Sequence, residues 1–128
     1  MSIPYRILLA DDDREVRGGV ADLLGGIGLE VLQAETGSEA LDLVRGGEPV
    51  HAALLDMYMP GPTGIEIVPL LLSERADLPC LIYSGRWSEE LERAVLAAGA
   101  RACLRKPVDP DRLRSEIKNV LGIRESLN

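Results

Sequence analysis

The sequence predicts an open, doubly wound α/β domain: five strands and five helices in (βα)5 alternation, with a parallel sheet covered on both faces. Three observations carry the prediction. Short apolar runs alternate with segments of helical period along the chain. The runs are apolar on successive residues, as strands buried on both faces must be. They also end on acids, a hydroxyl or a lysine, and sheets of this class carry their ligand sites outside the carboxyl ends of the strands.

The elements follow in order. Ile7–Ala10 is the first apolar run, and Val16, Val20, Leu23, Leu24 and Ile27 then share one helical face. Gly18 and Gly19 lie inside that helix, each at a cost of about 1 kcal/mol relative to Ala. Glu30–Ala34 is an amphipathic strand, and Glu35-Thr36 reads as loop entry. In "TGSEALDLVRGG", Ser38 is the expected N-cap and Gly46 the stop. Ala52–Leu55 is the third strand. The helix in "GIEIVPLLLSE" contains Pro69, which removes a helical hydrogen bond outside the first turn, so a late start or a kink is expected. Cys80–Tyr83 is the fourth strand, and Ser88 and Gly99 bound the next helix. Ala102–Leu104 is the fifth strand, and Leu113, Ile117, Val120 and Leu121 form the apolar face of the last helix.

A chain of 128 residues is expected to be one domain, with its core at about 5–122 and a short frayed tail. With no Phe and one Trp, that core must be built from Leu, Ile, Val and Ala. The net charge of -7 argues against a nucleic-acid binder, which needs a basic face, and against an anionic membrane surface. No apolar run approaches membrane-spanning length, and the start "MSIPYRILLADD" is no signal peptide. A cytoplasmic location is expected, with Cys80 and Cys103 as buried thiols and not a disulfide.

Asp11, Asp12 and Asp13 follow the first strand, Asp56 ends the third, Ser84-Gly85 ends the fourth and Lys106-Pro107 follows the fifth. Singly, each is most simply a helix cap or a solvated loop residue. Together they would meet at one edge of the sheet. Two carboxylates about 4 Å apart repel by about 4 kcal/mol at an effective dielectric of roughly 20, so the cluster needs a positive partner. Carboxylate, carbonyl and water ligands suit Mg²⁺. Hydroxyl and ammonium donors beside it suit a phosphoryl group, and a carboxylate can itself be the nucleophile. The empty cluster is expected to hold a raised carboxylate pKa.

At these residues the chain resembles the receiver domain of bacterial response regulators, in the manner of a stand-alone chemotaxis regulator. The resemblance runs from Ile7 to about Leu121 and is carried by Asp11-Asp12, "LLDMYMPGPTG", Ser84, and "GARACLRKPVDPDRL". It implies a flavodoxin-like strand order 2-1-3-4-5. It implies that Asp56 takes a phosphoryl group from a sensor histidine kinase or phosphotransfer protein, or from acetyl phosphate. Asp12, Asp56 and the backbone carbonyl of Tyr58 would hold Mg²⁺ (or Mn²⁺), with Asp11 acting through water. Lys106 and Ser84 would bind phosphoryl oxygens, Gly85 would leave room for them, and Pro107 would follow a cis peptide bond. Such a protein is a switch and not an enzyme in the ordinary sense, catalysing only its own phosphorylation and dephosphorylation. Its output would pass to a protein partner through the face of helix four, strand five and helix five.

The pattern is broken at Cys103, where family members commonly carry an aromatic that swings inward, and at Val108, where Phe is usual. Tyr58 and Arg86 flank the site and are expected to screen the phosphoryl and slow its hydrolysis. Trp87 is expected to pack under helix four, and the lone His51 carries no expected role. Two rival readings are a receiver-fold interaction module that takes no phosphate and a haloacid-dehalogenase-type phosphatase. The first is disfavoured because no acid and no lysine is missing, the second because Glu15 stands where a Thr or Val is wanted.

Overall fold

In a computed structural model describing residues 4–123, ten elements alternate. They are β1 (Arg6–Ala10), α1 (Arg14–Gly26), β2 (Glu30–Ala34), α2 (Gly37–Arg45), β3 (Ala52–Asp56), α3 (Gly64–Glu74), β4 (Cys80–Ser84), α4 (Glu89–Ala97), β5 (Ala102–Arg105) and α5 (Pro110–Leu121). The five strands pair in parallel in the order β2-β1-β3-β4-β5. The expected fold class and strand order are both met. The expected tail after residue 123 lies outside the described residues.

Strand alternation splits the core into two layers. Ile7, Leu9, Leu54, Leu81 and Tyr83 pack against Val20 and Leu24 of α1 and Leu113 and Ile117 of α5. Leu8, Leu55, Cys80, Ile82 and Cys103 pack with Leu41 and Val44 of α2, Ile67, Val68 and Leu71 of α3, and Val95 of α4. All residues of β3 and β4 are buried, as their continuous apolar runs require. Leu23 of the expected α1 face is 37% exposed. Gly18 and Gly19 have open space where a Cβ would stand, so packing does not require either glycine. Among the described residues, no helix is long and apolar enough to cross a membrane.

Two helix starts correct the sequence reading. The N-cap of α2 is Thr36, not Ser38: its extended backbone lets the hydroxyl accept from Glu39 N–H. Gly37 can then open the helix against α3, where a Cβ would lie 2.4 Å from the Ile67 side chain. Nor does α3 start late. Thr63 and Glu66 form a reciprocal capping box that fixes its start at Gly64, and the helix continues through Pro69. Pro69 is exposed, so water can serve the Ile65 carbonyl that the missing N–H leaves free. Ser88 caps α4 as expected, and Asp13 caps α1 by accepting from Glu15 and Val16 N–H.

Candidate functional site

Because every strand is parallel, the carboxyl ends of β1, β3, β4 and β5 come to one edge of the sheet. The order reverses between β1 and β3, which opens the crevice where doubly wound sheets bind ligands. Asp11, Asp12 and Asp56 meet there, each offering a carboxylate oxygen within 4.8 Å of the others. Asp11 is fully buried and Asp56 nearly so, whereas Asp12 is exposed.

The positive partner the acids demand is Lys106. Its Nζ lies 3.1 Å from Asp56 Oδ1 and 3.3 Å from Asp11 Oδ2, bridging the two buried carboxylates. The Lys106–Pro107 peptide bond is cis, as expected. Lys106 N–H donates to the Ser84 carbonyl at 2.9 Å, which ties the lysine turn to the end of β4. Burial works against the ammonium, but the hydrogen bond and charge of Asp56, and then Asp11, outweigh it and raise its pKa. Asp56 is pushed up to about 6, by burial first and the Asp11 charge in addition, against lowering by Lys106 and the Tyr58 backbone N–H. The raised carboxylate expected of the empty cluster is therefore Asp56.

A hard divalent cation fits these residues. The donors are carboxylate oxygens on three side chains, and Asp12 faces solvent from which a cation arrives. Ser84 is fully buried at the end of β4, its Oγ accepting from Arg86 N–H at 3.0 Å. At Gly85 a Cβ would meet nothing within 4 Å, so the space beside Ser84 is open. Tyr58 is half-exposed, and the Arg86 guanidinium lies 5.8 Å from the centroid of its ring, within cation–π range. Cys103 is buried on β5 opposite Ile82, with its thiol in the core. Trp87 is half-buried in the loop before α4, with the Arg105 guanidinium 3.9 Å over its ring. The Asp13 side chain is turned to the start of α1, which it caps, while its backbone N–H donates to Asp11 Oδ1 at 2.9 Å.

Three residues that sequence reasoning missed shape this site. Tyr83 is fully buried, and its phenol donates a short hydrogen bond to Asp11 Oδ2. Burial first, and then Asp11, raise its pKa, so the hydroxyl is a standing donor. The available signal was the rule that a buried Tyr must find a hydrogen-bond partner. Arg17 is buried on α1; its Nη1 donates to the Asp11 carbonyl at 2.7 Å and its Nε to Gln33 Oε1 at 3.0 Å. An Arg in an amphipathic helix otherwise reads as solvated charge, so nothing in the sequence marks it. At Gly64 a Cβ would lie 2.7 Å from the Asp56 backbone oxygen. Its signal was the fixed offset of this glycine after the acid in "LLDMYMPGPTG".

The family model described as "Response regulator receiver domain" matches residues 7–118. The chain is 39% identical over 119 residues to "Response regulator MprA" of Mycobacterium sp. (strain KMS), covering 93% of this chain and 51% of that protein. It spans about half the length of the curated relatives it matches. Among solved structures it is similar to a CheY-like receiver domain protein from Methanospirillum hungatei JF-1 (TM-score 0.87, 32% identity, 94% of this chain and 95% of that one). A putative response regulator from Chloroflexus aurantiacus J-10-fl is similar too (TM-score 0.88, 30% identity, 94% and 99%).

Proposed function

The chain belongs to the response regulator receiver domain family of two-component signalling, and we propose that it is a working phosphoacceptor in which Asp56 receives the phosphoryl group. The observation that carries this reading is the convergence of Asp11, Asp12, Asp56 and Lys106 at one sheet edge. A receiver-fold module without phosphate chemistry has no need to bury two carboxylates against one ammonium.

An Asp56 carboxylate oxygen attacks phosphorus. The P–N bond of a histidine kinase's or phosphotransfer protein's phosphohistidine breaks, or the P–O bond of acetyl phosphate, and the leaving group departs with the bonding electrons. Asp12, Asp56 and the Tyr58 carbonyl would hold Mg²⁺, with Asp11 assisting through water, and the ion would supply positive charge for the phosphoryl oxygens. Lys106 exchanges its carboxylate partners for a phosphoryl oxygen, and Ser84 turns its hydroxyl proton toward another. Gly85 leaves the space they need. Tyr58 and Arg86, paired at 5.8 Å through ring and guanidinium, slow hydrolysis by limiting water access.

The signal leaves through α4, β5 and α5 to a protein partner, by a rearrangement that the partner's differential affinity stabilises. With Cys103 in place of an aromatic, the aromatic beside this face is Trp87, on which Arg105 of β5 stacks at 3.9 Å. The chain is read as one domain acting in the cytoplasm.

Incubation with acetyl phosphate and Mg²⁺ followed by phosphate-affinity electrophoresis tests the reading. A retarded band is expected that chelation of Mg²⁺ abolishes and Asp56→Asn removes. No retarded band in the wild type would refute it.

A further inference from the structure

Tyr83 is the one aromatic in a strand, Cys-Leu-Ile-Tyr-Ser, that otherwise carries aliphatic or small side chains. Its ring lies in the layer beneath α1 and α5, and its hydroxyl emerges into the acidic site. A Val or Leu would fill the layer and offer no donor. The hydroxyl bonds Asp11 Oδ2, the same oxygen that Lys106 Nζ approaches at 3.3 Å, and the ammonium stands 4.7 Å from the centroid of the Tyr83 ring. The other Asp11 acceptors are taken: Oδ1 by Asp13 N–H at 2.9 Å and the backbone carbonyl by Arg17 at 2.7 Å.

On the phosphoacceptor reading, on which this inference rests, Lys106 leaves its carboxylates for a phosphoryl oxygen. Asp11 Oδ2, fully buried, then loses the ammonium, and a buried carboxylate oxygen without a donor is costly. We propose that Tyr83 is a positioning residue of this site: its hydroxyl holds Asp11 in place as Lys106 departs. Asp11 is thereby kept aimed at the cation site whether or not the lysine is on it.

Calorimetric titration of Mg²⁺, without any phosphodonor, into wild type, Tyr83→Phe, Asp11→Asn and the double variant tests the proposal. Tyr83→Phe keeps the ring and loses the donor, and is expected to weaken Mg²⁺ binding about ten-fold. Because Tyr83 acts through Asp11, adding Tyr83→Phe to Asp11→Asn is expected to cost nothing further. Independent, additive losses would mark Tyr83 as a packing residue and overturn the proposal, as would unchanged or tighter binding by Tyr83→Phe alone. Wild type offers a second measurement that needs no variant to fold: the ring Cζ resonance of Tyr83, ¹³C-labelled, is expected to move on Mg²⁺ addition as its partner responds. A Cζ resonance that stays still while Mg²⁺ binds would also overturn it. Wild type that binds no Mg²⁺ at all would overturn the phosphoacceptor reading and this one with it.

Discussion

At Asp56, burial and a neighbouring acid oppose one ammonium, and burial prevails. Its folded-state pKa of about 6 lies above the ordinary 3.8, so between these values the folded chain keeps a proton that the unfolded chain releases. Stability from this group is therefore present at acid pH and is lost as pH rises from 3.8 through about 6. Metal-free Asp56→Asn is expected to exceed wild type by about 3 kcal/mol at neutral pH. That advantage should shrink toward zero below the ordinary carboxylate pKa. Urea unfolding with chelator across this range measures the gap, and a gap independent of pH would contradict the account. The three acids of the cluster and Lys106 were legible because strand ends in a parallel sheet converge, whatever the details of packing. Tyr83 and Arg17 were not, because which face of β4 and which turn of α1 meet Asp11 depends on tertiary register.

Among the elements, α3 and the loop before it hold the Asp56 backbone. Gly61 has φ 79°, a left-handed turn that favours glycine. Gly64 N–H donates to the Met57 carbonyl at 2.8 Å, and its missing Cβ lets the helix start against the Asp56 carbonyl. Gly64→Ala is expected to destabilise by about 2 kcal/mol and to slow phosphorylation, because the helix and Asp56 must separate. Thermal unfolding and acetyl phosphate kinetics check both effects. On the opposite side of the crevice, Trp87 is the single Trp of the chain, so intrinsic fluorescence reports its stacking with Arg105. Acetyl phosphate with Mg²⁺ is expected to change that fluorescence in wild type. The change should be much smaller in Arg105→Ala, and an identical response would exclude this pair from the switch. Sequence reasoning located these elements by their periodicity. It misplaced the start of α2 because Thr36 and Ser38 are equally good caps in composition and differ only in backbone conformation, and of the two outcomes read from Pro69 the late start of α3 is not the one observed.

For the molecule as a whole, the sheet order and the two core layers bring residues far apart in the chain to one edge, where three acids face the single ammonium of Lys106 and negative charge is left over. Mg²⁺ at about 100 times its dissociation constant is therefore expected to raise stability by about 2.7 kcal/mol. Asp12→Asn, altering the exposed member of the cluster, should lose most of that gain in parallel unfolding curves. The fold class followed from the alternation of apolar runs and helix-period segments, because strands apolar on successive residues need helices on both faces, while the strand order followed only from the family resemblance. The central claim is that Asp56 carries the phosphoryl group. Treating the protein with acetyl phosphate and Mg²⁺, reducing with borohydride and mapping the peptides by mass spectrometry tests it directly. The account predicts that aspartyl phosphate, and hence its reduction product homoserine, appears at position 56; modification at another acid, or at none, would contradict it.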